Sequence, residues 1–397
     1  MISVKEAQDL ILSKCSNFSI ESKNINEISN SVLAEEILSD RDYPPFNRSA
    51  MDGYAIYSNY YRPEKSYLIE DTIFAGENKS WSKNPDSCIK IMTGAPVPEG
   101  MDCVIKKEDS IEISQGLVQF KLKEASQFLN VARKAEDLKE NELALKPGIV
   151  CSPQTVSLLA TLGIENAKVY KKPIISIFST GNEIVPINAP VAVEQIRDSN
   201  SYALISFIGK YGIKPEVSAI APDDKEKLKS IIRSLLYSNC LIFSGGVSAG
   251  EKDFIPEALK ELGIINLFHK VNIKPGKPLW FGVSKDGNAI FGLPGNPFSV
   301  QVIYKLFVEN WIRKFLNMNQ VIPIYLPLLK SRIKKHKLEE YFPVKLKNQN
   351  NKTFLEEIRY NGSGDIKAGL HSDGIAMHKS DQYELFESEL IPYYSWI

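Results

Sequence analysis

Apolar positions recur at helical spacing from Ser3 to Cys15, where Val4, Ala7, Leu10 and Ile11 share one side. Ser3 and Glu6 complete a capping box, so the pattern predicts a short opening helix. From about Ser58 to Leu145 the periodicity shifts to short β-like runs, among them Cys88 to Met92, Asp102 to Lys106 and Leu117 to Leu122. Gly, Pro and Asn turns separate these runs, which predicts a small β module of its own. Pro147-Gly148, a helical stretch from Pro153 to Leu162 and a stop at Gly163 then return the chain to its first domain.

From Lys172 onward strands alternate with helices. Ile174 to Ser179 is a continuous apolar run that suits a strand buried on both faces. Asp198-Ser199-Asn200 can cap a helix with Leu204, Phe207, Ile208 and Tyr211 inward, and Lys214 to Ala221 reads as the next strand. Asp223 with Glu226 makes a second capping box, before a helix that carries Leu228, Ile231, Ile232, Leu235 and Leu236 on one side. A strand from Cys240 to Phe243, a glycine-rich loop, a helix from Ile255 to Leu262, a hairpin turning at Asp286-Gly287-Asn288 and a long helix from Pro297 to Phe315 follow. This order predicts βαβ crossovers and a doubly wound, mostly parallel sheet. From about Val321 the chain reads as short strands again.

Composition narrows the function classes. The 397 residues carry 48 Lys plus Arg against 48 Asp plus Glu, so no global field drives the chain onto nucleic acid or an anionic membrane. Cys15, Cys88, Cys103, Cys151 and Cys240 contain no C-x-x-C pair, and the histidines are scattered, which speaks for reduced thiols and against a disulfide framework or a zinc site. Met1-Ile2-Ser3-Val4 is not a basic start leading into an apolar run, and no 18 consecutive residues are apolar, so a cytoplasmic location with no membrane and no nucleic-acid partner is expected.

Four loops fall where an open α/β sheet binds ligands, beyond strand carboxyl ends. They are Ser179 to Glu183, including Thr180 and Gly181; Ser244 to Asp253, including Gly245, Gly246 and Ser248; Lys274 to Pro278, including Lys277; and Gly292 to Ser299, including Pro294, Gly295, Asn296 and Pro297. Small residues let backbone N–H groups approach phosphate oxygens, and Lys274 and Lys277 add charge, so an anionic ligand is expected. Each loop alone reads better as a turn, and it is the four on one sheet edge, two of them carrying lysines, that point to a site. Gly245 and Gly250 have Walker A spacing, but Glu251-Lys252 stands where Lys-Ser or Lys-Thr is needed; no G-x-G-x-x-G opens a helix either. Glu183 and Asp253 are the metal candidates, because Mg²⁺ takes one or two carboxylates beside ligand phosphates. Asp223 and Asp224 read as helix caps. Pro44 to Ala55 and Ile91 to Gly100 are dense in turn formers and are compatible with a domain junction as well as with a site.

Taken together, the strings Ser49-Ala50-Met51-Asp52-Gly53-Tyr54-Ala55, Met92 to Gly100, Glu136-Asp137, Ser179 to Glu183, Asp198-Ser199-Asn200, Ser244 to Ser248, Lys274 to Pro278 and Gly292 to Pro297 resemble the molybdopterin molybdenumtransferase family, which includes the E domain of gephyrin. The resemblance runs from the first helix to the C-terminal module. It implies a multidomain α/β protein: a segmented elongated domain (1–55 and 137–170), an inserted β domain (56–136), an α/β molybdopterin-binding domain shared with molybdopterin adenylyltransferases (171–318) and a C-terminal β barrel (319–397).

The implied reaction inserts molybdenum from molybdate into adenylylated molybdopterin and releases AMP with help from Mg²⁺. Asp52, Asp137, Glu183, Asp253, Lys274 and Lys277 would be catalytic, with Glu183 and Asp253 as metal ligands. Lys274, Lys277, Ser248 and Ser299 would hold molybdate; Thr93, Thr180, Gly181, Asp198, Ser199, Asn200, Gly245, Gly246 and Pro294 to Pro297 would contact the pterin substrate. A homodimer would bring Asp52, Thr93 and Asp137 in from the second subunit, and a molybdopterin adenylyltransferase is the implied partner enzyme. Two rival readings are adenylyl transfer itself and a non-catalytic scaffold of the same fold.

The chain departs from the family pattern in three places. Ala135-Glu136-Asp137-Leu138 replaces Gly-Glu-Asp-Ile, and Thr180-Gly181-Asn182-Glu183-Ile184 replaces Thr-Gly-Asp-Glu-Leu. An arginine expected after the Phe of the first C-terminal hairpin is missing from Tyr341-Phe342-Pro343-Val344-Lys345; if it gathers molybdate in the family, either Lys345 or the basic run Lys330 to Lys337 substitutes here or the anion affinity is altered. That run otherwise reads as a solvated face.

Overall fold

A computed structural model describes residues 1–397 except 16–18, 78, 80, 82, 115, 218–219, 223 and 247–253. The chain falls into two compact units, 35–146 with 157–165, and the remainder.

The larger unit opens with the helix Val4–Ser13. Ser3 accepts from the Glu6 N–H while the Glu6 carboxylate takes the Ser3 N–H, which satisfies two otherwise orphaned donors. A six-stranded sheet follows in the spatial order Glu216–Val217, Ile175–Ser179, Cys240–Ser244, Ala289–Leu293, Trp280–Val283, Ile265–His269. Five strands run in one direction and only Trp280–Val283 is reversed. The hairpin at Asp286-Gly287-Asn288 forces that reversal, because so short a connection has no room for a crossover.

The apolar runs are buried on both faces. Ile175, Ile177, Cys240 and Ile242 pack toward the opening helix, the helix Asn200–Gly209 and the long helix, whereas Phe178, Leu241 and Phe243 pack toward Lys225–Leu235 and Ile255–Glu261. This is the two-sided covering that continuous hydrophobic strands require. The long helix runs from Pro297 to Phe315 and passes through a π-helical turn at Tyr304–Val308. Asp223 lies outside the described residues, and the cap of Lys225–Leu235 is Asp224, whose carboxylate accepts from the Lys227 N–H at 2.9 Å.

Beyond residue 320 a second sheet is built from Glu339–Gln349, Gly374–His378, Leu390–Ser395 and Ile324–Pro327, with Lys352–Glu357 paired to the first of these. It surrounds Phe342, Val344, Leu355, Ala376 and Tyr393. Ile273–Lys274 joins this sheet in parallel with Glu339 and Glu340, rather than the α/β sheet from which the chain has just emerged. Tyr341 and Ile375 in turn pack into the core of the α/β layers.

The smaller unit holds a six-stranded sheet containing Gly53–Ile56, Ser66–Ile73, Ser87–Ile91, Cys103–Lys106, Ser110–Ser114 and Leu117–Phe120. All five cysteines are buried and free, and burial pushes the thiols of Cys15, Cys88 and Cys103 up to about 12. Among the described residues no helix is long and apolar enough to cross a membrane.

Candidate functional site

The chain leaves Ile175–Ser179 for a strand on one side and returns at Cys240–Ser244 on the other, so a crevice opens where these two strands end. It forms a cavity of about 520 Å³ lined by Thr180, Gly181, Glu183, Asp198, Ser199, Asn200, Gly245, Gly246 and Pro294 to Pro297. Two glycines shape it. A Cβ on Gly245, at φ +94°, would meet the Thr180 carbonyl oxygen at 2.4 Å. One on Gly181, at φ +140°, would meet both Glu183 carboxylate oxygens at 2.7 Å, so the carboxylate lies directly against the Gly181 backbone.

The polar atoms of two lining residues hold the crevice together. Asp198 is buried and its Oδ1 accepts from Ser179 Oγ at 3.0 Å and from the Ser201 N–H at 3.1 Å, which ties the strand end to the helix start. Asn200 donates to the Gly295 carbonyl at 2.8 Å. Ser199 is exposed.

A second cavity of about 240 Å³ adjoins the first and shares Pro278, Pro294 and Asn296 with it. Lys274, Lys277, Ser299, Tyr360 and Ser363 line its other walls. Gly276, at φ +107°, turns the loop between the two lysines. Asn296 donates to Ser363 Oγ at 2.8 Å, and the Phe298 N–H donates to the Ser363 carbonyl at 3.1 Å, so the C-terminal module closes this cavity. Lys277 is exposed and has no ion-pair partner among the described residues.

Lys274 differs from the bare point charge that its sequence suggests. Its Nζ lies 3.1 Å from Glu340 Oε1 and 3.1 Å from His336 Nε2. Arg332 takes the other Glu340 oxygen at 3.0 Å, pairs with Glu357 at 2.9 Å, donates to His378 Nδ1 at 3.0 Å and sits 4.0 Å over the Phe342 ring. Burial pushes the Glu340 carboxyl up, but Arg332 and Lys274 outweigh it and hold the group below its ordinary value.

This cluster corrects the reading of the basic run as a solvated face. Lys335 and Lys337 are exposed, but Lys334 is buried, with its ammonium given to the carbonyls of Leu338 and Lys379, and His336 reaches Lys274. Lys345 lines neither cavity; it stands opposite Glu356 on an exposed stretch of strand. Glu340 and Tyr360 are absent from the sequence-based candidates, and Arg332 and His336 entered only as members of the run Lys330 to Lys337, not singled out. One signal was available: in the strand alternation Glu340 shares a phase with Phe342 and Val344, a charge on the inward face.

Ser248 and Asp253 lie outside the described residues. In the smaller unit, Asp52 and Thr93 meet: the Thr93 N–H and hydroxyl both donate to Asp52 Oδ1, at 2.7 and 2.8 Å, and hold its carboxyl below the usual range. Asp137 lines a separate cavity of about 310 Å³ with Tyr43, Leu143, Leu158 and Thr161. Among the described residues no group of three His, Cys, Asp or Glu side chains is placed to hold a metal ion.

Two family models match the chain: the MoeA N-terminal region (domain I and II) over residues 2–163, and the Probable molybdopterin binding domain over residues 176–314. The chain is 31% identical to a molybdopterin molybdenumtransferase of Synechocystis sp., with 100% of each chain covered. It is 35% identical to one of Haemophilus influenzae over 75% of this chain and 73% of that one. Among solved structures, a molybdopterin biosynthesis MoeA protein of Pyrococcus horikoshii superposes with a TM-score of 0.82 at 28% identity, covering 100% of this chain and 99% of that chain.

Proposed function

The chain belongs to the molybdopterin molybdenumtransferase family, and we propose that it acts in molybdenum cofactor biosynthesis by transferring molybdenum from molybdate to adenylylated molybdopterin with release of AMP. The observation that carries this reading is the adjacency of two cavities of different size and chemistry along one sheet edge.

The Gly245 N–H is held by the Leu293 carbonyl at 3.0 Å, so Gly246 and the hydroxyls of Thr180 and Ser199 are the groups of the larger crevice that would meet phosphate oxygens, and the crevice has room for an elongated nucleotide-like ligand. The smaller cavity, with Lys274, Lys277 and Ser299, matches a compact tetrahedral dianion, which charge-assisted hydrogen bonds hold best. The two cavities share Pro278, Pro294 and Asn296, so an oxyanion in the smaller one would lie beside one end of a pterin ligand in the larger, and the residues would align the reactants before any bond changes.

Glu183 would suit a Mg²⁺ site, since the ion needs only one or two protein carboxylates beside ligand phosphates; the crevice's other charged lining residues are Arg197 and Asp198, and Asp198 is taken by Ser179 and Ser201. With Asp253, Glu183 would hold the ion, which when bound neutralises charge on the phosphoanhydride. In a homodimer the Asp52–Thr93 pair and Asp137 would come from the second subunit; the Thr93 donors keep Asp52 ionised for that role. The four-part division at residues 55, 136, 170 and 318, with a C-terminal barrel, and delivery of the pterin by an adenylyltransferase belong to the same reading.

The test is AMP release from purified adenylylated molybdopterin with Mg²⁺, with and without molybdate, in the intact chain and in Asp253→Ala. Release that depends on molybdate and is lost in the variant is expected. A folded intact chain that releases no AMP would overturn the proposal.

A further inference from the structure

Lys274 has a resident counterion. The Glu340 side chain is 4% exposed and does not line the smaller cavity, whereas the Lys274 side chain is 45% exposed and does. The ammonium therefore stands between a buried carboxylate and the space a substrate oxyanion would fill. Backbone pairing fixes this arrangement, because Lys274 and Glu340 are register partners on adjacent parallel strands. Arg332, held by Glu357 and stacked on Phe342, anchors Glu340 from the far side, so the carboxylate cannot follow Lys274 into the cavity.

We infer that Glu340 is an internal counter-anion for Lys274: an oxyanion entering the cavity must take the ammonium from Glu340, and this exchange sets molybdate affinity below what Lys274 and Lys277 would give unopposed. Glu340 is thus a positioning residue that acts through Lys274. The inference rests on the reading of this cavity as the molybdate site and deepens it. Its chemical sense is that a substrate passed onward gains nothing from tight ground-state binding. The carboxylate recovers Lys274 as the anion leaves, while Lys277, with no ion-pair partner among the described residues, supplies the standing attraction.

Calorimetric titration of the full chain with sodium molybdate tests this without any pterin. Glu340→Gln is expected to bind molybdate about fivefold tighter, the scale of a partly exposed ion pair, and to bind tungstate tighter by a similar factor, since Glu340 touches the lysine and not the anion. The variant is expected to melt lower than the intact protein, because Arg332 loses Glu340, and to stay folded at the titration temperature, because Arg332 keeps Glu357. Lys274→Gln is expected to bind more weakly, and adding Glu340→Gln to it should bring no tightening.

A purely structural Glu340 would give the opposite sign, so unchanged or weaker binding in Glu340→Gln overturns the inference. Tightening that persists in the Lys274→Gln background also overturns it, by showing direct repulsion of the anion. An intact chain that takes up no molybdate would overturn the reading of the cavity itself, and the inference with it.

Discussion

Asn200 Nδ2 donates to the Gly295 carbonyl oxygen at 2.8 Å, which pins the start of the Asn200–Gly209 helix to the loop after the Ala289–Leu293 strand. Both segments line the larger cavity, so one hydrogen bond sets the width of its mouth. Asn200→Ala should cost about 1 kcal/mol in chemical denaturation, a typical net worth for such a bond, and should raise KM for the adenylylated pterin more than it lowers kcat. Asn200→Asp should be worse than alanine, because a carboxylate cannot donate to a carbonyl and repels it. An aspartate variant that equals the native chain would show that the bond does not shape the site.

Gly181 predicts a different kind of damage. Alanine there must adopt φ +140° and push its Cβ into the Glu183 carboxylate, 2.7 Å away. The backbone strain is of order 1–3 kcal/mol, and the displaced carboxylate is the proposed Mg²⁺ ligand. Gly181→Ala should therefore lower the melting temperature and also move the Mg²⁺ midpoint of AMP release to higher concentration. Gly163→Ala, at φ +69° with no atom within 4 Å of its Cβ and away from the cavities, is the control for strain alone. An unchanged Mg²⁺ midpoint in Gly181→Ala would remove Glu183 from the metal role.

Lys277 carries the standing charge of the smaller cavity. Replacing it by methionine keeps the length of the side chain and deletes the ammonium. A hydrogen bond to a charged group is worth about 1.5–3 kcal/mol, so KM for molybdate should rise about ten- to hundredfold while kcat at saturating molybdate changes little. A fall in kcat with KM unchanged would place Lys277 in the reaction itself rather than in anion capture.

The parts of this molecule that were legible in sequence are those governed by near neighbours. Ser3 and Glu6 cap a helix because both partners lie within one turn, and Ile175 to Ser179 reads as a doubly covered strand because the run itself carries the signal. The hairpin at Asp286-Gly287-Asn288 was equally local, and it explains the single reversed strand. The cap at Asp224 rather than Asp223 turned on one residue of backbone phase, which two adjacent aspartates cannot disclose. The Lys274 loop was read as part of the α/β sheet edge, whereas Ile273–Lys274 pairs with the C-terminal sheet, and its electrostatic state was not legible. Glu340, Arg332 and His336 come from the far end of the chain, and only the parallel pairing of Ile273–Lys274 with Glu339–Gln349 brings them there.

His378 ties the same cluster to the pH dependence of stability. It is fully buried, and its Nδ1 accepts from Arg332 at 3.0 Å, which requires the neutral ring. Burial first, then the charges of Arg332 and Lys334, push the imidazole from 6.5 down to about 4. In the unfolded chain the ring returns to its ordinary value, so between pH 6.5 and about 4 the unfolded state binds the proton that the folded state refuses. Stability therefore rises with pH across this window and is lost as the pH falls through it. The loss is complete near the folded value, and its ceiling for this one group is about 3 kcal/mol. His378→Gln keeps an acceptor for Arg332 and cannot titrate. Urea denaturation above and within the window should show the native chain losing stability faster than the variant as the pH drops. The Glu340 carboxyl contributes loss of the same sign, but only toward the acid end, because its value lies below the ordinary carboxylate range. Parallel profiles for the native chain and His378→Gln would mean that the buried ring gains its proton without penalty, and that Arg332 is not held by a neutral imidazole.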